Sequence, residues 1–347
     1  MNRTWRILTV LFSAGVLATA GYELIVASFH FDLHEAYALE DGMLTGHPHW
    51  RLFQNRMLAP WIFGAVRHVT GWQTPRAYEA SFILLLSLFY VTLGCCLWEL
   101  TKTFRTAVLG LPAAFALNAI LLMPNGSPLM HQFWIYLWDL IDLTIFTLLV
   151  WALLSSQRAW VLAVIIAVEI FNREVALILA GLLLVDAFLR RAVLEAPEAS
   201  RQIILGAALA IGGLIIIEGL RSALLVAEVG RTRWPWAKTG QSFNLEILRN
   251  VAELLPPHMP GRLKIMLPQY GTILAFAVWI GYNAVRGVRA NRRAAIWFAV
   301  LFATVFVFGY AVEWRVWLVF VPYVVLTLAI ANGRPETEGV TDIDVIR

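Results

Sequence analysis

The chain has 347 residues, 60% of them hydrophobic and 14% charged, with 15 Trp and 20 Phe and a mean hydropathy of +0.70. This balance excludes a soluble globular enzyme and a disordered chain, and it indicates an all-α polytopic membrane protein. A formal net charge of +4 with a pI near 9.2 does not point to nucleic acid, because the Lys and Arg residues flank apolar runs, where they orient a chain across a bilayer.

Apolar windows of spanning length, about 20 residues each, fall at 7–28, 78–100, 106–123, 133–154, 203–225, 267–285, 294–311 and 316–331. The first contains Ala18-Thr19-Ala20, which resembles a signal-cleavage site, but the run continues to Ser28, so an uncleaved first helix is expected. The region 159–189 is too long for one ordinary span and carries Asn172-Arg173-Glu174 at its middle. As a single helix it would force the most basic loop, Arg286 to Arg293, to the outer face, against the positive-inside bias. As a hairpin of two short helices it places Arg3, Arg6, Lys102, Arg105, Arg158, Arg190, Arg191 and the Arg286–Arg293 loop all inside. The hairpin is therefore expected, with about ten membrane helices and both termini cytoplasmic.

The whole chain reads as one integral domain. Its first outer loop, 29–76, carries two surface helices, the first around Leu33, Ala36, Tyr37 and Leu44 and the second over Met57 to Val69. A second outer loop, 226–264, combines Arg231, Arg233, Trp234, Trp236 and Lys238 with one amphipathic segment, a composition suited to anionic lipid headgroups or a phosphate carrier. Residues 332–347 form a cytoplasmic tail.

This topology gathers the unusual polar residues on the outer face, where a charge near lipid is costly and so is rarely incidental. The first loop offers Asp32 and Glu35 as carboxylates able to act as general base, or as ordinary solvated loop charges. Its histidines at 30, 34, 47 and 49 raise a divalent cation as a candidate cofactor, without a recognisable ligand spacing. Adjacent Cys95 and Cys96 supply neither a metal spacing nor a useful loop closure. Arg173 is suited to a phosphate by its planar, permanently charged fork, or it forms a self-neutralised pair with Glu174. Glu313 and Arg315 flank Trp314 in the turn before the last span and, being two apart, each needs a partner elsewhere. Asp139 and Asp142 share one face of a spanning helix near its outer end, which suits a proton or cation path, or pairing with Arg173.

A span followed by a long outer loop with an early acidic residue, then Arg56-Met57-Leu58-Ala59-Pro60-Trp61 leading into a surface helix, resembles the C-type (GT-C) fold of membrane glycosyltransferases that use polyprenyl-phosphate sugars. Asn172-Arg173-Glu174 and Glu313-Trp314-Arg315 are similar to motifs of uncharacterised bacterial proteins related to that group. The resemblance implies transfer of a sugar from a polyprenyl phosphate to a hydroxyl of an envelope glycan, lipid or protein at the bacterial cytoplasmic membrane. It implies Asp32 as the catalytic base with Glu35 next, and Arg56, Arg173 and Arg315 around the lipid-linked phosphate, with Glu174, Glu313 and Asp139 beside them. The chain departs from the family in having Leu33 rather than a second acid after Asp32, and in lacking a large soluble domain after the spans. A transporter or flippase for an anionic or lipid-linked substrate, and a non-catalytic membrane subunit, are the alternatives from other classes.

Overall fold

The computed structural model describes residues 3–29, 33–45, 56–122, 136–190, 196–223, 259–308 and 314–333. Every regular element among them is helical: α1 (Arg3–Phe29), α2 (Leu33–Leu44), α3 (Leu58–Thr70), α4 (Thr74–Thr101), α5 (Phe104–Leu122), α6 (Leu137–Leu154), α7 (Ala159–Ile170), α8 (Val175–Leu189), α9 (Ala196–Ala223), α10 (Met259–Arg286), α11 (Arg289–Phe308) and α12 (Phe320–Gly333). Six of these contain stretches long and apolar enough to cross a membrane: Arg3–Ala27, Thr74–Thr101, Phe104–Leu122, Leu137–Leu154, Pro197–Leu220 and Ala290–Val307. Each of the eight expected windows holds a helix among its described residues. Two differ in character from the expectation. The apolar run of α10 is diluted by Gln269, Tyr270, Tyr282 and Asn283, and Pro268 lies within it. The last window opens with a 3-10 turn, Trp314–Trp317, which leaves a 14-residue α12. Pro322 explains the late start, because a residue without an N–H is tolerated only in the first turn of a helix.

Local chemistry sets the boundaries. Helix α3 stops at Gly71, whose φ of +66° is the left-handed conformation that a Cβ disfavours, and the Gly71 N–H closes the helix on the Arg67 carbonyl at 2.9 Å. Helix α4 starts from an extended Gln73 with Pro75 in its first turn. The 159–189 region is two helices, separated by a turn at 171–174.

The direction of each helix follows from what its two ends touch. Gly21 and Ile25 near the end of α1, Asn118 and Leu122 near the end of α5, Leu140 and Leu143 near the start of α6, and Leu318 before α12 line one small cavity. Phe298 of α11 stacks on Tyr323 of α12 at 4.6 Å and Phe302 meets Trp317 at 4.8 Å, so these neighbours are antiparallel and α11 begins at the opposite end of the bundle. Helix α8 begins where Arg173 meets Asp139 of α6 and ends where Asp186 meets Arg293 of α11. It therefore runs the full height of the bundle. Helix α7, joined to α6 by the short 155–158 connection, runs the other way, so α7 and α8 form an antiparallel hairpin.

The core lies around α6. Of its 18-residue apolar window 89% is buried, against 17% for α9, and a helix apolar all round belongs at the centre of a bundle. The periphery is equally apolar: Ile204, Ile211 and Ile215 of α9 are each about two-thirds exposed. That much exposed aliphatic surface requires lipid around it. Helices α8 and α9 approach so closely that a Cβ on Gly206 would lie 2.9 Å from the Leu184 backbone nitrogen.

At the end opposite the α6 N-terminus, Asp186 clamps α8 to α11 and α9. Arg293 donates to both of its oxygens, Nε to Oδ1 at 3.0 Å and Nη2 to Oδ2 at 2.8 Å, and Gln202 Nε2 donates to Oδ2 at 2.7 Å. Removing one member of a buried pair strands the other charge, at a cost of roughly 3–5 kcal/mol. Asp186→Ala should accordingly lower the apparent melting temperature of the protein in nanodiscs, and a second change, Arg293→Met, should restore much of the loss. Unchanged melting in Asp186→Ala would show that the clamp is dispensable.

Candidate functional site

The polar residues that are hardest to reconcile with an apolar bundle meet at the N-terminal end of α6. Tyr136 enters in an extended conformation and its N–H donates to Asp139 Oδ2 at 3.0 Å, so Asp139 caps the helix from its third residue. Asp142 lies one turn on and faces the same way. Across from them the 171–174 turn supplies the partners. Arg173 Nη1 donates to Asp139 Oδ1 at 3.1 Å and to Asp142 Oδ2 at 2.5 Å. Asn172 Nδ2 donates to Asp142 Oδ1 at 2.5 Å, to Glu169 Oε2 at 3.3 Å and to the Trp138 carbonyl at 3.2 Å. Asp139, Asp142, Glu169 and Asn172 are all buried, so these bonds form where water does not compete.

The turn is bound from its other side by α3. The Leu58 N–H donates to the Phe171 carbonyl at 3.0 Å, and Trp61 packs on the Phe171 ring at 5.8 Å. This brings Arg56, just before α3, into the cluster. Its guanidinium lies over the Trp138 ring at 5.1 Å, and Nη2 donates to Glu174 Oε2 at 3.4 Å. Of the pairings open to Arg173, the structure has the one with Asp139 and Asp142, and Glu174 pairs with Arg56. Neighbours in sequence at the start of a helix do not face each other, and α6 and α3 provide better-placed partners.

Helix α2 adds a carboxyl that the sequence reading did not single out. Glu40 is fully buried, and neither of its oxygens has a hydrogen-bond partner among the described residues. The Tyr78 hydroxyl of α4 is buried without a partner in the same region, within electrostatic reach of Glu40 and Asp139. Burial first, and the Asp139 charge second, push the Glu40 carboxyl well above its ordinary range. A signal for it was present in the sequence: Leu33, Ala36, Tyr37, Glu40 and Leu44 follow helical spacing, which puts Glu40 inside the apolar stripe of its helix.

Of the residues expected at a site, Arg56, Asp139, Arg173 and Glu174 are brought together. Asp32 and Glu313 lie outside the described residues. So do the side chains of Glu35, on α2, and Arg315, whose backbone lies in the 3-10 turn that packs against α5. His30, His47 and His49 are outside as well, and among the described residues no three His, Cys, Asp or Glu side chains are grouped to hold a metal ion. No family model, curated protein or solved structure matches the chain.

The state of Glu40 makes stability depend on pH with a definite sign. A carboxyl whose pKa in the folded state lies above its ordinary 4.5 adds no pH dependence while both states are protonated, and it progressively destabilises the fold as pH rises above that value. Glu40→Gln should remove this component. The variant should match the parent near pH 4 and melt at an equal or higher temperature at pH 7, as followed by thermal unfolding in nanodiscs; a lower melting temperature at pH 7 would show that the Glu40 charge is compensated.

Proposed function

We propose that this chain is a multi-pass glycosyltransferase of the bacterial cytoplasmic membrane, moving a sugar from a polyprenyl-phosphate donor to an acceptor hydroxyl at the outer face. In this reading α1 and α4 to α12 are the ten membrane helices, while α2 and α3 lie at the outer surface. The orientation is supported by Arg3, Arg6, Lys102, Arg105, Arg158, Arg190, Arg286, Arg292 and Arg293, which sit at the bundle end opposite the cluster. Arg6 over the Phe104 ring, at 5.8 Å, fixes the starts of α1 and α5 at that same end.

The observation that carries the reading is the convergence of Arg56 and Arg173 with buried carboxyl groups at the end of the bundle where α2 and α3 pack. Sugar transfer from a lipid phosphate needs both components. Negative charge grows on the phosphate as the glycosidic bond breaks, and guanidinium groups that stay ionised away from water stabilise it. The acceptor hydroxyl must lose its proton to a carboxylate within reach. Arg56 and Arg173, with Arg315 on the adjoining 3-10 turn, are assigned to the phosphate. Arg173 is also braced by Asp139 and Asp142, so it serves the site's architecture as well. The acceptor is an envelope glycan, lipid or protein.

Purified protein incubated with radiolabelled polyprenyl-phosphate hexose or pentose and an envelope fraction should yield a labelled acceptor. Lysine keeps the charge of arginine but loses its paired donors, so Arg56→Lys should raise the donor KM with little change in folding, whereas Arg173→Lys should also lower the melting temperature. Flux of donor into sealed vesicles without any new covalent product would replace this reading with transport.

The orientation has its own test. In a background lacking Cys95 and Cys96, a cysteine replacing Val69, which is exposed near the end of α3, should react with a maleimide that passes the outer membrane but not the cytoplasmic one, and one at position 289 should react only after lysis. The reverse pattern would invert the topology.

A further inference from the structure

Buried polar atoms in folded proteins nearly always have partners, and a carboxyl without one costs several times what a hydrogen bond returns. Glu40 departs from this rule with both oxygens, and Tyr78 departs from it with its hydroxyl, among the described residues. The two side chains come from different helices, α2 and α4, and each is at most 1% exposed. Asp139, from a third helix, is the charged neighbour they share. Neither group holds its helix to another by a hydrogen bond. Helix α2 is instead fixed by Met43 in the core and by Asp41, which accepts from Arg67 of α3 at 2.5 Å. Replacing Glu40 by any apolar residue of similar size would serve packing better, so its chemistry needs another explanation.

We propose that Glu40, Tyr78 and Asp139 form the acceptor-hydroxyl site of this protein, in which Glu40 takes the proton from the attacking hydroxyl and Tyr78 orients its oxygen. The proposal rests on the glycosyl-transfer reading and assigns the base of that reaction to a residue other than Asp32 or Glu35. The acceptor O–H proton passes to the Glu40 carboxylate as the acceptor oxygen bonds to the anomeric carbon. The bond from that carbon to the phosphate oxygen breaks, and its electron pair leaves on the polyprenyl phosphate beside Arg56 and Arg173. Glu40 then releases the proton to water. A carboxyl held in an apolar setting, with a raised affinity for protons, is a stronger base in this role than a fully solvated one. Because its oxygens are covered, a hydroxyl reaches Glu40 only when α2 shifts away from α4.

The test uses full-length protein in nanodiscs with the donors and envelope fraction described above, comparing the parent with Glu40→Gln, Tyr78→Phe, Asp32→Asn and Glu35→Gln. Glu40→Gln should lower kcat by ~10²–10⁴-fold with the donor KM unchanged and with no fall in melting temperature at pH 7. Tyr78→Phe should lower it by roughly ten- to a hundredfold, the effect of one hydrogen bond to a charged or reacting group. If the parent transfers sugar and Glu40→Gln stays within about threefold of it, the assignment is overturned while glycosyl transfer stands, and loss of turnover in Asp32→Asn or Glu35→Gln then locates the base. If the parent transfers nothing, the glycosyl-transfer reading fails, and infrared difference spectra decide the site separately. The carboxyl band that disappears in Glu40→Gln should shift when methyl α-glucoside is added as a hydroxyl-bearing probe; an unmoved band overturns the site.

Discussion

One guanidinium group organises the end of this bundle. Arg173 donates from a single nitrogen to carboxylates one helical turn apart on α6, and in doing so it fixes where α7 ends and α8 begins. Two buried acids one helical turn apart need such a donor, because moving one ion out of water costs several kcal/mol even after relaxation. The hairpin, in turn, could not place a cation at that depth without them. Asn172 secures the arrangement by donating to Asp142, Glu169 and the Trp138 carbonyl, so the break in the helix becomes the best-bonded point of the region. Arg56 and the start of α3 then dock on a surface that already exists.

The consequence is a division of labour among charges. At the opposite end, the Asp186–Arg293–Gln202 clamp is complementary, with paired donors on paired acceptors, and it reads as a fastening between helices. At the α6 end the balance is uneven. Asp139 and Asp142 accept from Arg173, Glu169 from Asn172 and Glu174 from Arg56, whereas Glu40 takes part in no hydrogen bond among the described residues. A fastening has no use for an acid that bonds to nothing, whereas the acceptor site proposed above does.

Much of the architecture was legible in the sequence, because apolar composition and 3.6-residue periodicity are local properties. Each of the eight long windows holds a helix among its described residues, and the charge asymmetry that favours two helices over one at 159–189 agrees with the break at 171–174. What could not be read was pairing. Arg173 had two sets of candidate partners, adjacent Glu174 and distant Asp139 and Asp142, and only the positions of α6 and α3 choose between them. Glu40 is hidden in the sequence for a related reason: in a loop crowded with charge, an acid looks solvated until the stripe it occupies is known to face a core. Pro322 likewise shortens the final helix through a local rule that hydropathy alone does not capture.

Helix α2 shows how one short element joins surface and interior. Adjacent residues on a helix point about 100° apart, so Glu40 enters the bundle while Asp41 stays half-exposed on its Arg67 partner. The outer side of the helix borders an open crevice of about 720 Å³ lined by Asp41, Thr45, Arg67, His68, Trp72 and Gln73. The inner side closes over Glu40. Its outward anchor is an ion pair in contact with water, which contributes little to stability, and its inward face carries a carboxyl that resists burial. What holds α2 is therefore apolar packing, through buried Met43 and through Tyr37 against the core. Arg173 and the α6 aspartates supply the hydrogen-bonded part of this end, and α2 supplies its unpartnered carboxyl.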